Sequence, residues 1–141
     1  MITRCYLEIT NICNLNCCFC PKTARKKHAL TIEEFELLAG RLRNKVKFLY
    51  FHLMGEPLLH PHLPHFILRA KEYGFIPVIT TNGTLLGKAQ PVAEALPHKV
   101  QISLHSHEGN GHENIGSYIS GVMNFALDAS SSDYRTQIKN Y

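Results

Sequence analysis

Along the chain, short runs in which apolar and polar residues alternate are separated by stretches whose apolar residues return every three or four positions. Arg4-Cys-Tyr-Leu-Glu-Ile-Thr10, Lys47-Phe-Leu-Tyr-Phe-His-Leu53, Ile76-Pro-Val-Ile-Thr-Thr81 and Val100-Gln-Ile-Ser-Leu-His105 are rich in β-branched and aromatic residues and predict strands. Between them, Ile32, Phe35, Leu38, Ala39 and Leu42 share one helical face, as do Leu63, Phe66, Ile67 and Ala70. Thr31 with Glu34 writes a capping box ahead of the first helix, and Gly74 closes the second. A third stretch between Thr84 and Leu96 is restarted by Pro91 as a short helix with proline in its first turn. A fourth runs through Tyr118, Ile119, Val122, Met123 and Ala126.

Strand and helix in regular alternation imply an α/β fold: parallel strands joined by right-handed helical crossovers, an incomplete parallel β/α barrel of about four strand–helix units. Residues 1–129 read as one core domain, and residues 130–141, where the apolar pattern is lost, as an irregular C-terminal tail. On parallel sheets of this kind, functional residues gather at the carboxyl ends of the strands. The cysteine-rich loop, Gly55-Glu56-Pro57, Thr81-Asn82-Gly83 and Ser103-Leu-His105-Ser106 all follow or close a predicted strand, so they should meet on one rim.

Composition narrows the function classes. A chain of 141 residues that is 45% hydrophobic is the size of one compact domain. A formal net charge of +4 with 18% charged residues does not indicate a nucleic-acid partner. No apolar run reaches the length of a membrane span and no apolar leader opens the chain, so a cytoplasmic location is expected. Four of the five cysteines fall within eight residues, too tight for a disulfide framework and natural for a metal site.

Those cysteines lie in Thr10-Asn-Ile-Cys-Asn-Leu-Asn-Cys-Cys-Phe-Cys-Pro21, directly after the first predicted strand. Cys13, Cys17 and Cys20 write C-x3-C-x2-C, a spacing that lets a short loop wrap soft thiolates around one metal site. Three thiolates leave one iron of a [4Fe–4S] cluster open, whereas zinc would need a fourth ligand from Cys18, His28 or a distant histidine. Spacing alone leaves iron–sulfur, zinc and reduced structural cysteines all open. Cys5, inside a strand, and Cys18, out of register with the motif, read as packed or exposed thiols.

The run, with Phe19 immediately before the last cysteine and Gly55-Glu56-Pro57 after the second strand, resembles the radical S-adenosylmethionine (radical SAM) enzymes. The resemblance implies that Cys13, Cys17 and Cys20 hold a [4Fe–4S] cluster whose open iron is chelated by S-adenosylmethionine. One electron then splits the sulfonium to methionine and a 5′-deoxyadenosyl radical. Met54-Gly-Glu-Pro57 is similar to the Gly-Gly-Glu-Pro motif that holds the methionine end of the cofactor, with Met54 in place of the first glycine. By the same resemblance Gly55, Glu56 and Pro57 contact the cofactor; a carboxylate and strand-end carbonyls suit an ammonium. Thr80-Thr-Asn-Gly83 resembles a segment found in the subgroup of molybdenum-cofactor cyclases and peptide-modifying enzymes, which makes Asn82 a candidate cofactor contact; as a bare pattern it is an Asn-Gly turn. Ser103 is a further candidate, near the ribose or the methionine carboxylate. His105 is a candidate facing the substrate or simply a polar strand end.

The remaining basic and histidine-rich segments read blandly. His60, His62 and His65 lack the i, i+4 spacing of a helical zinc site. Lys22, Arg25, Lys26 and Lys27 form a solvated charge run or meet an acidic substrate group.

The reading is an enzyme that abstracts hydrogen from a substrate carbon, fed by a flavodoxin or ferredoxin-type electron donor, with the substrate and catalytic residues unassigned. The alternative is an inactive or partner-dependent module that holds iron–sulfur or zinc without turnover. Because the family core usually has six strand–helix units, the chain is expected to be C-terminally truncated or completed by a partner.

Overall fold

A computed structural model describes residues 2–108, 115–130 and 136–139. The strands are β1 (Ile2–Tyr6), β2 (Val46–Tyr50), β3 (Ile76–Thr81), β4 (Lys99–Ser103) and β5 (Thr136–Lys139). They form one sheet in the order β1-β2-β3-β4-β5, every neighbouring pair parallel. The helices are α1 (Ile32–Leu42), α2 (Leu63–Glu72), α3 (Gln90–Glu94), α4 (His105–Glu108) and α5 (Ile115–Ser130). Sequential strands pairing in parallel across intervening helices make the incomplete β/α barrel that the alternation predicts.

One face of the sheet is closed by apolar packing. Leu49, Phe51, Ile79, Val100 and Ile102 share a core with Phe35 and Ala39 of α1, Phe66 and Ile67 of α2, Val92 of α3 and Phe125 of α5. Phe35 stacks on Phe66 with ring centroids 4.2 Å apart and meets Phe51 edge-on at 5.8 Å, so one aromatic joins two helices and the sheet. The opposite face is polar: Tyr6, Tyr50, His52, Thr80, Gln101 and Ser103 line an open cavity of about 320 Å³. Tyr6 and Tyr50, partners in the β1–β2 register, stack at 4.8 Å. His52 is pushed down to a pKa of about 4 by burial and is therefore a neutral imidazole at pH 7.

Local signals act where the sequence places them. Thr31 accepts from the Glu34 backbone N–H at 3.1 Å while the Glu34 carboxylate accepts from the Thr31 N–H at 2.8 Å, completing the capping box. Gly74 sits at φ +83°, and Pro91 falls in the first turn of α3.

Several boundaries differ from expectation, among them the end of β2, which stops at Tyr50 and not at Leu53. β1 ends at Tyr6, because Ile9, Thr10 and Asn11 turn away to pair with residues 28–30: Leu30 N–H donates to Ile9 at 2.8 Å and His28 N–H to the Asn11 side chain at 2.7 Å. These bonds pinch shut the base of the cysteine loop. β4 ends at Ser103, so His105 opens α4 and does not close the strand. The irregular tail expected from 130 onward is corrected over Thr136–Lys139, where β5 pairs with β4 from Val100↔Thr136 to Ser103↔Lys139. Four residues are too short a run for alternation to register, and the partner strand supplies the order.

Arg69 of α2 clamps α1 through a bidentate contact to Glu36, 2.6 Å from Nε to Oε1 and 3.0 Å from Nη2 to Oε2, and Tyr73 Oη also donates to Glu36. The guanidinium, then the phenol, hold the Glu36 carboxyl down to about 2. A depressed carboxyl contributes stability that is full above its unfolded value and lost as pH falls through the folded one. Acid unfolding should therefore steepen between about pH 5 and 2. Glu36→Gln should flatten that part of a stability–pH profile followed by circular dichroism; an unchanged profile would show that solvent screens the clamp completely.

Candidate active site

The loop after β1 brings Cys13, Cys17 and Cys20 to the wall of one cavity of about 330 Å³, shared with Lys22, Arg25 and Met54. Cys17 is buried, Cys20 half-buried and Cys13 exposed, and the Cys20 N–H donates to the Cys17 carbonyl at 3.1 Å, forming the turn that the two-residue spacing requires. Cys18 points elsewhere and is exposed, while Cys5 packs against the core from β1. Although Cys13 as a residue is exposed, partial desolvation of its sulfur pushes the thiol up, opposed by hydrogen bonds from Leu15 N–H and the Asn82 amide.

The donor set suits a cluster better than zinc. Of the zinc candidates, Cys18 lies off the cavity, and His28 Nε2 is engaged by Glu34 Oε2 at 3.0 Å. Among the described residues, no three His, Cys, Asp or Glu side chains close on a point that would hold a single ion. Three soft thiols on the wall of one cavity are a donor set that an iron–sulfur group can use.

Met54-Gly-Glu-Pro57 is locked against the root of this loop. Met54 N–H donates to the Glu8 carboxylate at 3.1 Å and Glu56 N–H to the Ile12 carbonyl at 2.9 Å. A Cβ on Gly55 would stand 2.2 Å from the Thr10 carbonyl oxygen, so only glycine lets the two backbones approach this closely. Met54, in contrast, is accommodated at the wall of the cysteine cavity. Pro57 opens a 3-10 turn, Pro57–Leu59, capped by Glu56.

Glu56 is 2% exposed, and its carboxylate is turned inward. Oε1 accepts from Leu58 N–H at 2.9 Å and Thr81 Oγ1 at 2.7 Å, and Oε2 accepts from Asn82 N–H at 2.7 Å. Burial pushes this carboxyl up and the three donors oppose it. Glu56 thus staples the loop after β2 to the end of β3. Asn82 continues the chain of contacts, with its amide nitrogen 3.0 Å from Asn14 Oδ1 and 3.8 Å from Cys13 Sγ. Tyr118 of α5 donates its hydroxyl to the Asn82 carbonyl at 3.0 Å and to that of Ser103 at 3.4 Å. Burial raises this phenol to about 12, so it stays a donor.

Every predicted site residue therefore lies at the carboxyl ends of β1–β4. Glu56 and Asn82 meet the cysteine loop, Gly55 and Pro57 shape the turn beside it, and Ser103 lines the polar cavity. His105 meets Phe19 edge-on at 6.3 Å. Arg25 of the basic run stays exposed on the wall of the cysteine cavity and pairs there with Glu8 at 2.7 Å. Glu8, Asn14, Thr84 and Tyr118 carried no assignment from sequence, and Thr81 entered only as part of the Thr80-Thr-Asn-Gly83 segment. Asn14 had the one available signal, its place beside Cys13; the others are recruited only by folding.

The profile of the radical SAM superfamily matches residues 7–134. The chain belongs to this family of iron–sulfur enzymes that use S-adenosylmethionine. A probable GTP 3′,8-cyclase from Thermococcus kodakarensis is 35% identical over 113 residues, covering 74% of this chain and 36% of that protein. A tungsten-containing aldehyde ferredoxin oxidoreductase cofactor-modifying protein from Pyrococcus furiosus is 37% identical over 86 residues, 57% of this chain and 24% of the other. SuiB of Streptococcus suis, solved with its precursor peptide SuiA, superposes with a TM-score of 0.74 at 17% identity, over 98% of this chain and 32% of that one. The last likeness is one of fold. The chain spans about a third or less of the length of these proteins. No described helix is long and apolar enough to cross a membrane.

Proposed function

We propose that this chain holds a [4Fe–4S] cluster on Cys13, Cys17 and Cys20 and S-adenosylmethionine across the rim formed by Gly55, Glu56, Pro57, Asn82 and Ser103, and that it serves hydrogen abstraction from a substrate carbon. The observation that carries this reading is the convergence of three thiols on one cavity wall, in a loop tied to the ends of β2 and β3 where the Ile12 carbonyl accepts from Glu56 N–H and the Cys13 sulfur from the Asn82 amide. When bound, the cluster supplies the electron that splits S-adenosylmethionine, and the cofactor supplies the group that takes the hydrogen. The protein's part is to bind and to orient. The cysteine loop is closed at its base by Asn11 and His28, the Gly55 contact sets the loop-to-loop spacing, and Glu56 fixes the backbone that meets the cofactor's ammonium. The polar cavity beyond Ser103, with neutral His52 on its wall, is the place for a substrate. A flavodoxin or ferredoxin-type protein in the cytoplasm is the proposed electron source.

The test is anaerobic reconstitution with iron and sulfide, reduction, and addition of S-adenosylmethionine. The spectrum of the reduced cluster should change on addition, and methionine and 5′-deoxyadenosine should form in equal amounts. An open site neither orients the reactive group nor excludes water, so turnover should be slow and largely uncoupled from substrate. A cluster that ignores S-adenosylmethionine would leave the binding-module reading in its place.

A further inference from the structure

Asn14, Asn82 and Thr84 close a ring of side-chain hydrogen bonds beside Cys13. Asn82 Nδ2 donates to Asn14 Oδ1 at 3.0 Å, Asn14 Nδ2 to Thr84 Oγ1 at 2.8 Å, and Thr84 Oγ1 to Asn82 Oδ1 at 2.7 Å. The ring decides which way the Asn82 amide faces. Thr84 N–H can only donate, and it lies 3.0 Å from Asn82 Oδ1, so the oxygen belongs on that side. The nitrogen then faces Asn14 and Cys13, which puts a hydrogen-bond donor 3.8 Å from Cys13 Sγ. The residue is also held through its backbone, whose N–H donates to Glu56 and whose carbonyl accepts from Tyr118. At 7% exposure, Asn82 is fixed from several sides.

We infer that Asn82 is a positioning residue for the cluster: its amide donates to the Cys13 sulfur and raises the cluster's reduction potential, while Asn14 and Thr84 hold that amide in its donating orientation. The inference rests on the proposed ligand role of Cys13. Reduction adds negative charge to the cluster and its sulfurs, so a donor aimed at one sulfur stabilises the reduced form more than the oxidised one. Closed hydrogen-bond rings polarise their members and resist rotation. Asn82 therefore acts through Cys13, and its Glu56 bond ties the same residue to the rim.

The experiment is spectroelectrochemical titration of reconstituted protein, wild type against Asn82→Ala, Asn82→Asp and Thr84→Val, with iron content measured on each. Asn82→Ala should lower the potential, by up to about tenfold in the reduction equilibrium or 59 mV for one electron. Asn82→Asp, which sets an acceptor and a negative charge against the sulfur, should lower it further. Thr84→Val removes only the hydroxyl that orients the amide and should move the potential in the same direction by less. A loss of packing alone predicts lower iron content without this ordered series. If Asn82→Ala does not fold, Thr84→Val decides, and an unmoved potential at full iron content overturns the inference. Wild-type protein that takes up no iron would instead overturn the proposed function.

Discussion

Single replacement of Cys13, Cys17 or Cys20 by Ala abolishes the visible absorption of anaerobically reconstituted protein, while Cys5→Ala and Cys18→Ala keep about four irons per chain. The contrast is the expected result because the three residues share one cavity wall and the other two do not. A site with three protein ligands has no spare thiol to recruit. Cys18 is adjacent to Cys17 along the chain, yet consecutive side chains diverge, and the turn closed from Cys20 N–H to the Cys17 carbonyl fixes which of them faces inward. Iron and acid-labile sulfide analysis with absorption spectra checks all five variants. Stoichiometric zinc that persists in Cys13→Ala would sink the cluster assignment.

Glu56→Ala should be the most damaging change outside the cysteines, and it should act on two readouts. Truncation leaves Leu58 N–H, Asn82 N–H and the Thr81 hydroxyl without their acceptor in a site that is 2% exposed. Each orphaned donor costs about 1–3 kcal/mol, against a total stability of about 5–15 kcal/mol for a domain, so a large fall in melting temperature follows. Glu56→Gln keeps one acceptor but turns an NH2 group toward a donor, so it should be intermediate. Affinity for S-adenosylmethionine should fall as well, because the rim backbone at Leu58 and Asn82 loses the acceptor that orders it; a direct contact with the ammonium would instead cost one charge-assisted hydrogen bond, about 1.5–3 kcal/mol or roughly ten- to a hundredfold. Thermal unfolding beside a cofactor titration separates two routes. Lost affinity at unchanged melting temperature would mean that the carboxylate touches the ammonium directly. Lost affinity together with lost stability is the outcome expected of a carboxylate that shapes the rim from within.

Much of this was legible in the chain because it depends on near neighbours. The periods of alternation that mark β2, β3 and α2, the Thr31–Glu34 box and the cysteine spacing are all set within a few residues. Gly55 and Glu56 were recognisable as a motif, but the motif did not reveal which way the carboxylate points. That direction depends on Thr81 and Asn82, 25 and 26 residues away.

What the sequence by itself determined is the parallel β/α class, the order of its units, the spacing of the three cysteines and the convergence of polar motifs at the strand ends. Local propensity and the handedness of crossovers suffice for these. Tertiary structure alone decided that β1 stops at Tyr6 so the cysteine loop can close, and that Thr136–Lys139 joins the sheet. It also decided that Glu56 is a buried staple and that Asn14, Thr84 and Tyr118 surround Asn82. The reason is physical: buried donors and acceptors must find partners, and across 68 residues between Asn14 and Asn82 only the assembled sheet specifies which partner is in reach.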